Sequence, residues 1–123
     1  MSLERVLKAL ESLGLSQSDA QVYIYLATTG PKKARELVNT LAIGKRQVYR
    51  SLKRLQDKGI AIIDNERPFE LSAVPFDEVL DLLMEIKKEQ AKALQASKEE
   101  LVLDFRTGEK KSNSRSLSNR EVL

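Results

Sequence analysis

Residues 31–58, PKKARELVNTLAIGKRQVYRSLKRLQDK, decide how this chain folds and what it can bind. The segment contains nine Lys and Arg against two acids, a net charge of +7, whereas the whole 123-residue chain carries only +3. The remainder of the chain therefore sums to −4, so the positive charge is concentrated in one segment. Such a concentration indicates a polyanionic partner.

The composition excludes several classes of protein. Because the chain has no His and no Cys, it lacks disulfides, the usual zinc ligands, thiol nucleophiles and the commonest general base. It also lacks a Gly-rich phosphate loop, so we expect no enzyme, no metal and no cofactor. No stretch reaches the ~20 apolar residues of a membrane span, and the amphipathic N-terminus does not resemble a secretory signal. We therefore expect a cytoplasmic protein with no membrane partner.

Two helices are predicted before the basic segment. Apolar residues recur at steps of three and four from Leu3 to Leu13, and the pattern stops at Gly14. From Ser16 the sequence resembles the capping box of a second helix. Asp19 lies in the first turn of this helix, where an acid interacts favourably with the helix dipole. A second apolar stripe follows, made of Ala20, Tyr23, Ile24 and Ala27.

The basic segment has a helix-turn-helix pattern. Its first helix buries Ala34, Leu37, Val38 and Leu41. Residues 42–44 supply a tight apolar turn, and a second helix from Lys45 buries Val48, Leu52 and Leu55. Lys58 and Gly59 form a helix stop, because a glycine can take the left-handed conformation there.

The periodicity changes after Gly59. Residues 60–64 are rich in β-branched Ile, 65–68 favour a turn and 69–74 alternate apolar and polar side chains, which predicts a β-hairpin. Residues 76–104 form a long helical stretch, and the serine-rich segment 105–123 is predicted to be a disordered tail. The fold class is mainly α with a small β-hairpin: a helix-turn-helix domain over 1–75 followed by a long C-terminal helix over 76–104.

The second helix of the pattern divides into an inner apolar side and an outer polar side. We expect Ser51 and Arg54 on the outer side together with the polar residues of the first turns. Arg can pair with guanine and Gln with adenine in the major groove, so the predicted base-reading residues are Lys45, Arg46, Gln47 and Arg50.

Other cations are predicted to contact phosphates, which set affinity and register without reading sequence. These are Lys32, Lys33, Arg35, Lys53, Arg54 and Lys58. Tyr49 is also assigned to phosphate through its hydroxyl, although packing of its ring between helices is an equal alternative. Arg67, at the predicted hairpin tip, would reach an adjacent minor groove or the backbone. An ordinary solvated helix face is the alternative interpretation of all these charges.

Several segments resemble the N-terminal domain of the TrmB family of transcriptional regulators, which is chiefly archaeal. The resemblance covers about residues 3–90. Its most specific motifs are the Leu13-Gly-Leu entry with Ala20 and Tyr23 behind it, the Val48-Tyr49 pair, and the Arg67-Pro68 hairpin that ends at Ala73-Val-Pro75.

The resemblance implies a winged helix-turn-helix fold in a dimeric, sequence-specific regulator. The helix of about 45–58 would enter the major groove of double-stranded DNA, and the hairpin of about 64–69 would be the wing. Gly44 stands where many members have Pro, so the helix could begin later and be less rigid. Full-length members usually continue into a sugar-binding effector domain; because a disordered tail is expected here, effector sensing of that kind is not carried over.

The helix from Phe76 needs a partner for its apolar stripe, since each exposed Leu or Ile forgoes ~1.5 to 3 kcal/mol of burial. A second copy of the chain could supply this partner through a short coiled-coil seam, so we predict a homodimer. The predicted interface consists of Leu3, Leu7, Val79, Leu80, Leu83, Ile86 and Leu94. Two other functions remain open: a non-specific nucleoid protein that coats DNA, and a winged helix that docks another protein.

Overall fold

The computed structural model describes residues 3–64, 66 and 69–114, with side chains described as far as Gly108. Its elements are α1 (Leu3–Ser12), α2 (Gln17–Thr29), β1 (Lys32–Lys33), α3 (Ala34–Thr40), α4 (Lys45–Asp57), β2 (Ala61–Ile63), β3 (Glu70–Ala73), α5 (Phe76–Ala96) and α6 (Lys98–Ser114). The chain divides into two units, one up to Glu85 and the other from Ile86. A mainly helical fold with a small antiparallel sheet confirms the predicted fold class.

The core of the first unit forms around α2. Buried apolar side chains come from every element of this unit except β1, including Leu10, Val22, Leu26, Leu37, Leu55, Ile60 and Val79. Helix α2 begins where the sequence predicted, because the Ser16 hydroxyl accepts a hydrogen bond from the Asp19 N–H at 3.1 Å. The Tyr23 hydroxyl donates to the Val74 carbonyl at 2.6 Å, and this bond joins α2 to the end of the sheet.

The sheet has three antiparallel strands in the order β1-β3-β2. The hairpin of β2 and β3 was predicted, and Ile63 pairs with Leu71 across it. The third strand, β1, was not predicted, since two lysines carry no strand pattern. Lys32 pairs with Leu71 and Lys33 with Glu70, so β1 is a strand because β3 offers it a free edge.

Part of the stripe assigned to a dimer interface belongs to the core. Val79 is 0% exposed and Leu83 2% exposed within a single chain, so their assignment to the interface is wrong. The first turns of α5 follow directly from the sheet and pack on the first unit, which buries these two residues within their own chain. Leu80 and Ile86 are half-buried, and Leu94 is exposed.

The long helix differs from its predicted form in two ways. It is divided at Ser97, whose hydroxyl donates to the Ala93 carbonyl at 3.0 Å, although backbone hydrogen bonds of the helical type continue on both sides. The predicted disorder from residue 105 is wrong as far as Ser114, because α6 extends to that residue. Adding residues to an existing helix is far easier than starting one, and 105–114 contain no proline. Residues 115–123 of the predicted tail lie outside the described residues.

Candidate nucleic-acid interface

Helix α4 begins at Lys45 and presents one polar side to solvent. Gly44 precedes it with φ of 89°, a left-handed conformation that suits glycine, and its carbonyl accepts a hydrogen bond from the Val48 N–H at 3.0 Å. Val48, Leu52 and Leu55 are buried as predicted. The helix therefore starts at the first predicted residue, with glycine in place of proline.

The four predicted base-reading residues lie together on the exposed side of α4. Lys45, Arg46, Gln47 and Arg50 are all exposed, and no acid lies in the first turn. Residues three and four apart are neighbours on a helix surface, which brings Arg46 and Gln47 next to Arg50. This end of α4 therefore carries hydrogen-bond donors with a free path to a ligand.

The predicted phosphate contacts occupy two places. Lys53 is exposed on α4, where its ammonium lies 3.7 Å from Asp57, and Lys58 is half-buried at the end of the helix. Lys33 and Arg35 are exposed on β1 and α3, while the half-buried Lys32 donates to the Thr29 carbonyl at 3.2 Å. Arg67 lies outside the described residues.

Tyr49 lies beside the sheet. Its side chain is 47% exposed, and it lines a groove of about 490 Å³ together with Lys53 and Leu71. The groove separates α4 from β3. Tyr49 is thus partly packed and partly open to solvent, so the two interpretations of this residue remain compatible with its position.

Arg54 has a partner inside the protein. Its Nε lies 2.9 Å from Asp19 Oδ2, and its Nη2 lies 2.8 Å from Asp19 Oδ1. Asp19 is 2% exposed. The sequence predicted a phosphate contact for Arg54, whereas its guanidinium is bound to this carboxylate inside the protein.

Ser51 also differs from expectation, since it was placed on the outer side and is fully buried. It lies three residues after Val48 and four before Leu55, on the inner face of α4. Its hydroxyl donates to the Ser18 hydroxyl at 3.1 Å, and the Arg54 Nη2 donates to it at 3.4 Å. Helices α2 and α4 are therefore joined by polar contacts as well as by apolar packing.

The ion pair changes the pKa of both partners. Burial acts to raise the pKa of Asp19, but the hydrogen bonds and charge of Arg54, with contributions from the nearby Ser51 and Ser16 hydroxyls, outweigh it, so this pKa is lowered. The hydrogen bond to Asp19 raises the pKa of Arg54 despite its partial burial. Both groups are charged at neutral pH. Sequence reasoning read Asp19 only as an acid favoured by the helix dipole, although its spacing with Tyr23 and Leu26 put it on the buried face.

A second groove lies on the side of α1. It has a volume of about 700 Å³ and is lined mainly by α1, α2 and the turn after α3. Leu3 and Leu7, predicted at a dimer interface, both line it, and Leu3 is 52% exposed. The groove is largely apolar, with Ile24, Leu41 and Ile43 as further lining residues.

Over the described ranges, no three His, Cys, Asp or Glu side chains cluster in a way that could hold a metal ion. In the same part of the chain, no helix is long and apolar enough to cross a membrane.

The helix-turn-helix of α3 and α4, followed by the β2–β3 hairpin, defines the winged helix-turn-helix class. The model of the family described as "sugar-specific transcriptional regulator TrmB" matches residues 10–77, and the chain belongs to this family. The resemblance read from the sequence is therefore confirmed. A comparison with curated proteins finds no match.

Solved structures that are similar to this chain include the following two. One is TrmBL2, described as an archaeal chromatin protein with a novel mode of DNA binding; it is 25% identical, with a TM-score of 0.65 over 87% of this chain and 43% of that one. This chain thus spans less than half the length of TrmBL2. The other is a MarR-like transcriptional regulator from Thermotoga maritima, 17% identical, with a TM-score of 0.47 over 96% of this chain and 99% of that one.

Proposed function

We propose that this chain is a sequence-specific transcriptional regulator that binds double-stranded DNA as a homodimer. Helix α4 would lie in the major groove, and the hairpin of β2 and β3 would be the wing. The observation that carries the proposal is the exposed cluster of Lys45, Arg46, Gln47 and Arg50 at the start of a helix whose other side is packed in the core. Membership of a family of transcriptional regulators supports it.

The chemistry of this cluster suits base recognition. A guanidinium can donate two hydrogen bonds to O6 and N7 of guanine, and a carboxamide can pair with N6 and N7 of adenine. Arg46, Gln47 and Arg50 have these groups, and each is exposed. A helix that carries three such side chains within about one turn can distinguish a few adjacent base pairs.

The phosphate contacts would come from both sides of the groove that Tyr49 lines. Lys53 and Tyr49 lie on α4, while Lys33 lies on β1, which pairs with β3 at the base of the wing. Lys32, Arg35, Lys58 and Arg67 are further candidates. Contacts of this kind fix the orientation of a protein on DNA but do not read its sequence.

Dimerisation is supported by the apolar residues that α5 and α6 expose. Leu94, Leu101 and Phe105 are 62%, 48% and 64% exposed, and they recur at steps of seven and four, which is typical of one helical face. A homodimer would bind a pseudo-palindromic site with half-site centres ~34 Å apart, one turn of DNA. A sedimentation experiment that shows a monomer at micromolar concentration would contradict this part of the proposal. Such a regulator would act in the cytoplasm, at the nucleoid.

The second candidate function is non-specific coating of DNA. It is favoured by the description of TrmBL2 as a chromatin protein. The same cations would serve either function, because phosphate contacts need no base readout.

Selection of bound duplexes from a random pool separates the two functions. A regulator enriches one motif and then binds it ~10³-fold or more tightly than random DNA at the same salt concentration. The matched control is the Arg46→Ala, Arg50→Ala double variant, which should lose the preference while it keeps part of its affinity for random DNA. Equal affinities of the unaltered chain for the selected and random duplexes would reject the regulator and leave the coating protein.

A further inference from the structure

The ion pair between α2 and α4 lies at the edge of the proposed DNA-binding face. Arg54 is four residues after Arg50, so the two side chains are neighbours on the helix. The Arg54 side chain is 41% exposed and that of Asp19 is 3% exposed. The guanidinium is therefore drawn back towards α2, although it remains close enough to solvent to reach a phosphate if it were released.

Several contacts hold Asp19 and Arg54 in place. Asp19 is in the first turn of α2, and its N–H is capped by the Ser16 hydroxyl at 3.1 Å. Two guanidinium nitrogens donate to its oxygens at 2.8 to 3.2 Å. The buried Ser51 hydroxyl contacts both Ser18 and Arg54. The Asp19–Arg54 pair is thus anchored in the core on the α2 side and is not an exposed surface ion pair.

The geometry of the pair constrains α4 more strictly than apolar packing does. Leucine and valine side chains tolerate small rotations of a helix, whereas a two-pronged Arg–carboxylate contact has a fixed distance and a fixed plane. A rotation of α4 about its axis would break these hydrogen bonds and would also turn Arg46, Gln47 and Arg50 away from the bases. The same contact that fixes Arg54 therefore fixes the direction of the reading residues.

We infer that Asp19 raises the preference of this protein for its own DNA site, because it holds α4 in one orientation and withholds the charge of Arg54 from phosphates. Asp19 and Arg54 are positioning residues in this scheme, and neither contacts a base. The inference rests on the proposed function. A purely structural ion pair makes a different prediction: its loss would lower stability and leave the preference between DNA sequences unchanged.

Asp19→Asn tests the inference with the smallest change of shape. We expect the ratio of affinities for the selected and random duplexes to fall at least tenfold. Because one further cation becomes available, binding to random DNA should show a slope of log affinity against log salt that is steeper by ~0.9. Both affinities are measured by fluorescence anisotropy over a salt series, at a temperature where circular dichroism shows the variant folded.

Two variants serve as companions. Lys53→Gln removes an exposed cation from the same helix, and it should weaken binding to both duplexes alike and leave their ratio unchanged. Arg54→Lys keeps the charge but cannot make the two-pronged contact, so the ratio should fall while the salt slope on random DNA stays that of the unaltered chain. If Asp19→Asn does not fold at the assay temperature, Arg54→Lys decides by the same ratio.

The outcomes separate this inference from the proposed function. If the unaltered chain prefers its selected site but the folded variants keep that ratio within twofold, the inference is wrong and the regulator stands. If the unaltered chain shows no preference, the regulator fails and so does the claim that Asp19 raises a preference; a steeper salt slope for Asp19→Asn would then support only the withheld charge of Arg54. An unchanged slope in that case rejects the withheld charge as well.

Discussion

Replacing Tyr23 by Phe removes one hydroxyl from the core and tests how α2 is joined to the sheet. Tyr23 is 1% exposed, and its hydroxyl donates to the Val74 carbonyl at 2.6 Å. Its ring lies 6.4 Å from that of Phe76, centroid to centroid. The substitution keeps this ring contact and leaves the carbonyl without its donor, so the measured change reports the hydrogen bond.

The expected loss follows from the burial of the two groups. A net hydrogen bond contributes ~0.5 to 1.5 kcal/mol, and a buried acceptor without a donor costs ~1 to 3 kcal/mol. Val74 is only half-buried, so water can partly replace the hydroxyl. We expect Tyr23→Phe to lower the free energy of unfolding by about 1 to 2 kcal/mol at neutral pH.

Alkaline pH should then cancel most of this difference in stability. Burial, with a contribution from the charge of Asp77, raises the pKa of Tyr23 to about 12 from 10.0. The folded state therefore keeps the phenol proton that the unfolded state releases above pH 10, so this stabilisation is complete below pH 10 and is lost as the pH rises to 12. Two pKa units correspond to about 3 kcal/mol in full, of which about 1.4 kcal/mol is lost by pH 11. The Phe variant has no proton to lose and should be spared this decline.

Urea unfolding followed by far-UV circular dichroism measures both effects, at pH 7.5 and at pH 11. Titration of the other groups is common to both proteins, so the difference between them is the quantity to compare. Tyr25→Phe is the matched control, because Tyr25 is half-buried and its hydroxyl makes no hydrogen bond to the described residues. A loss below ~0.5 kcal/mol at pH 7.5, or an equal alkaline decline in both proteins, would refute the reasoning.

Three further predictions, made with five substitutions, test the rest of the molecule. Arg50→Ala should cost ~1 to 3 kcal/mol of binding to the selected site and relax preference at one base pair, whereas Lys33→Ala should weaken binding to all duplexes and lower the salt slope by about one; identical behaviour in anisotropy titrations would contradict the division of roles. Leu83→Ala should lower the free energy of unfolding by ~2 to 5 kcal/mol, while Leu94→Ala should leave it within ~0.5 kcal/mol and instead weaken self-association in sedimentation. Lys45→Glu should stabilise the fold by ~0.3 to 1 kcal/mol, because an acid suits a helix N-terminus, and should abolish binding to the selected site; a destabilised variant in thermal unfolding would count against this.

The helices could be predicted from the sequence because their faces are regular. On α4, for example, Val48, Leu52 and Leu55 recur at helical steps, and all three are buried. The ends of the helices carried local signals too, since Ser16 caps α2 as expected. Periodicity predicts that a side chain will be buried. In these helices the buried side chains are among those that carry the pattern.

The identity of the covering surface could not be predicted in the same way. Val79 and Leu83 have the spacing of a dimer seam, yet they are buried within their own domain. Strand β1 exists because β3 pairs with it, which no local pattern of two lysines reveals. Arg54 was predicted to contact a phosphate because its actual partner, Asp19, lies 35 residues away in the chain. Each of these outcomes depends on contacts between distant residues, and a single sequence does not display such contacts.

The first turn of α4 carries positive charges that are unfavourable for a helix, and the fold itself does not explain them. Unpaired N–H groups make a helix N-terminus partly positive, so cations there are unfavourable and acids are favoured. α2 follows that rule with Asp19, and α5 follows it with Asp77 and Glu78. α4 breaks it with Lys45 and Arg46, and its first turn contains no acid. A phosphate backbone beside this turn would reverse the sign of the effect, since the dipole and the two cations would then act on an anion together. The departure from helix chemistry at the start of α4 is therefore best explained by a polyanion that the fold alone does not contain.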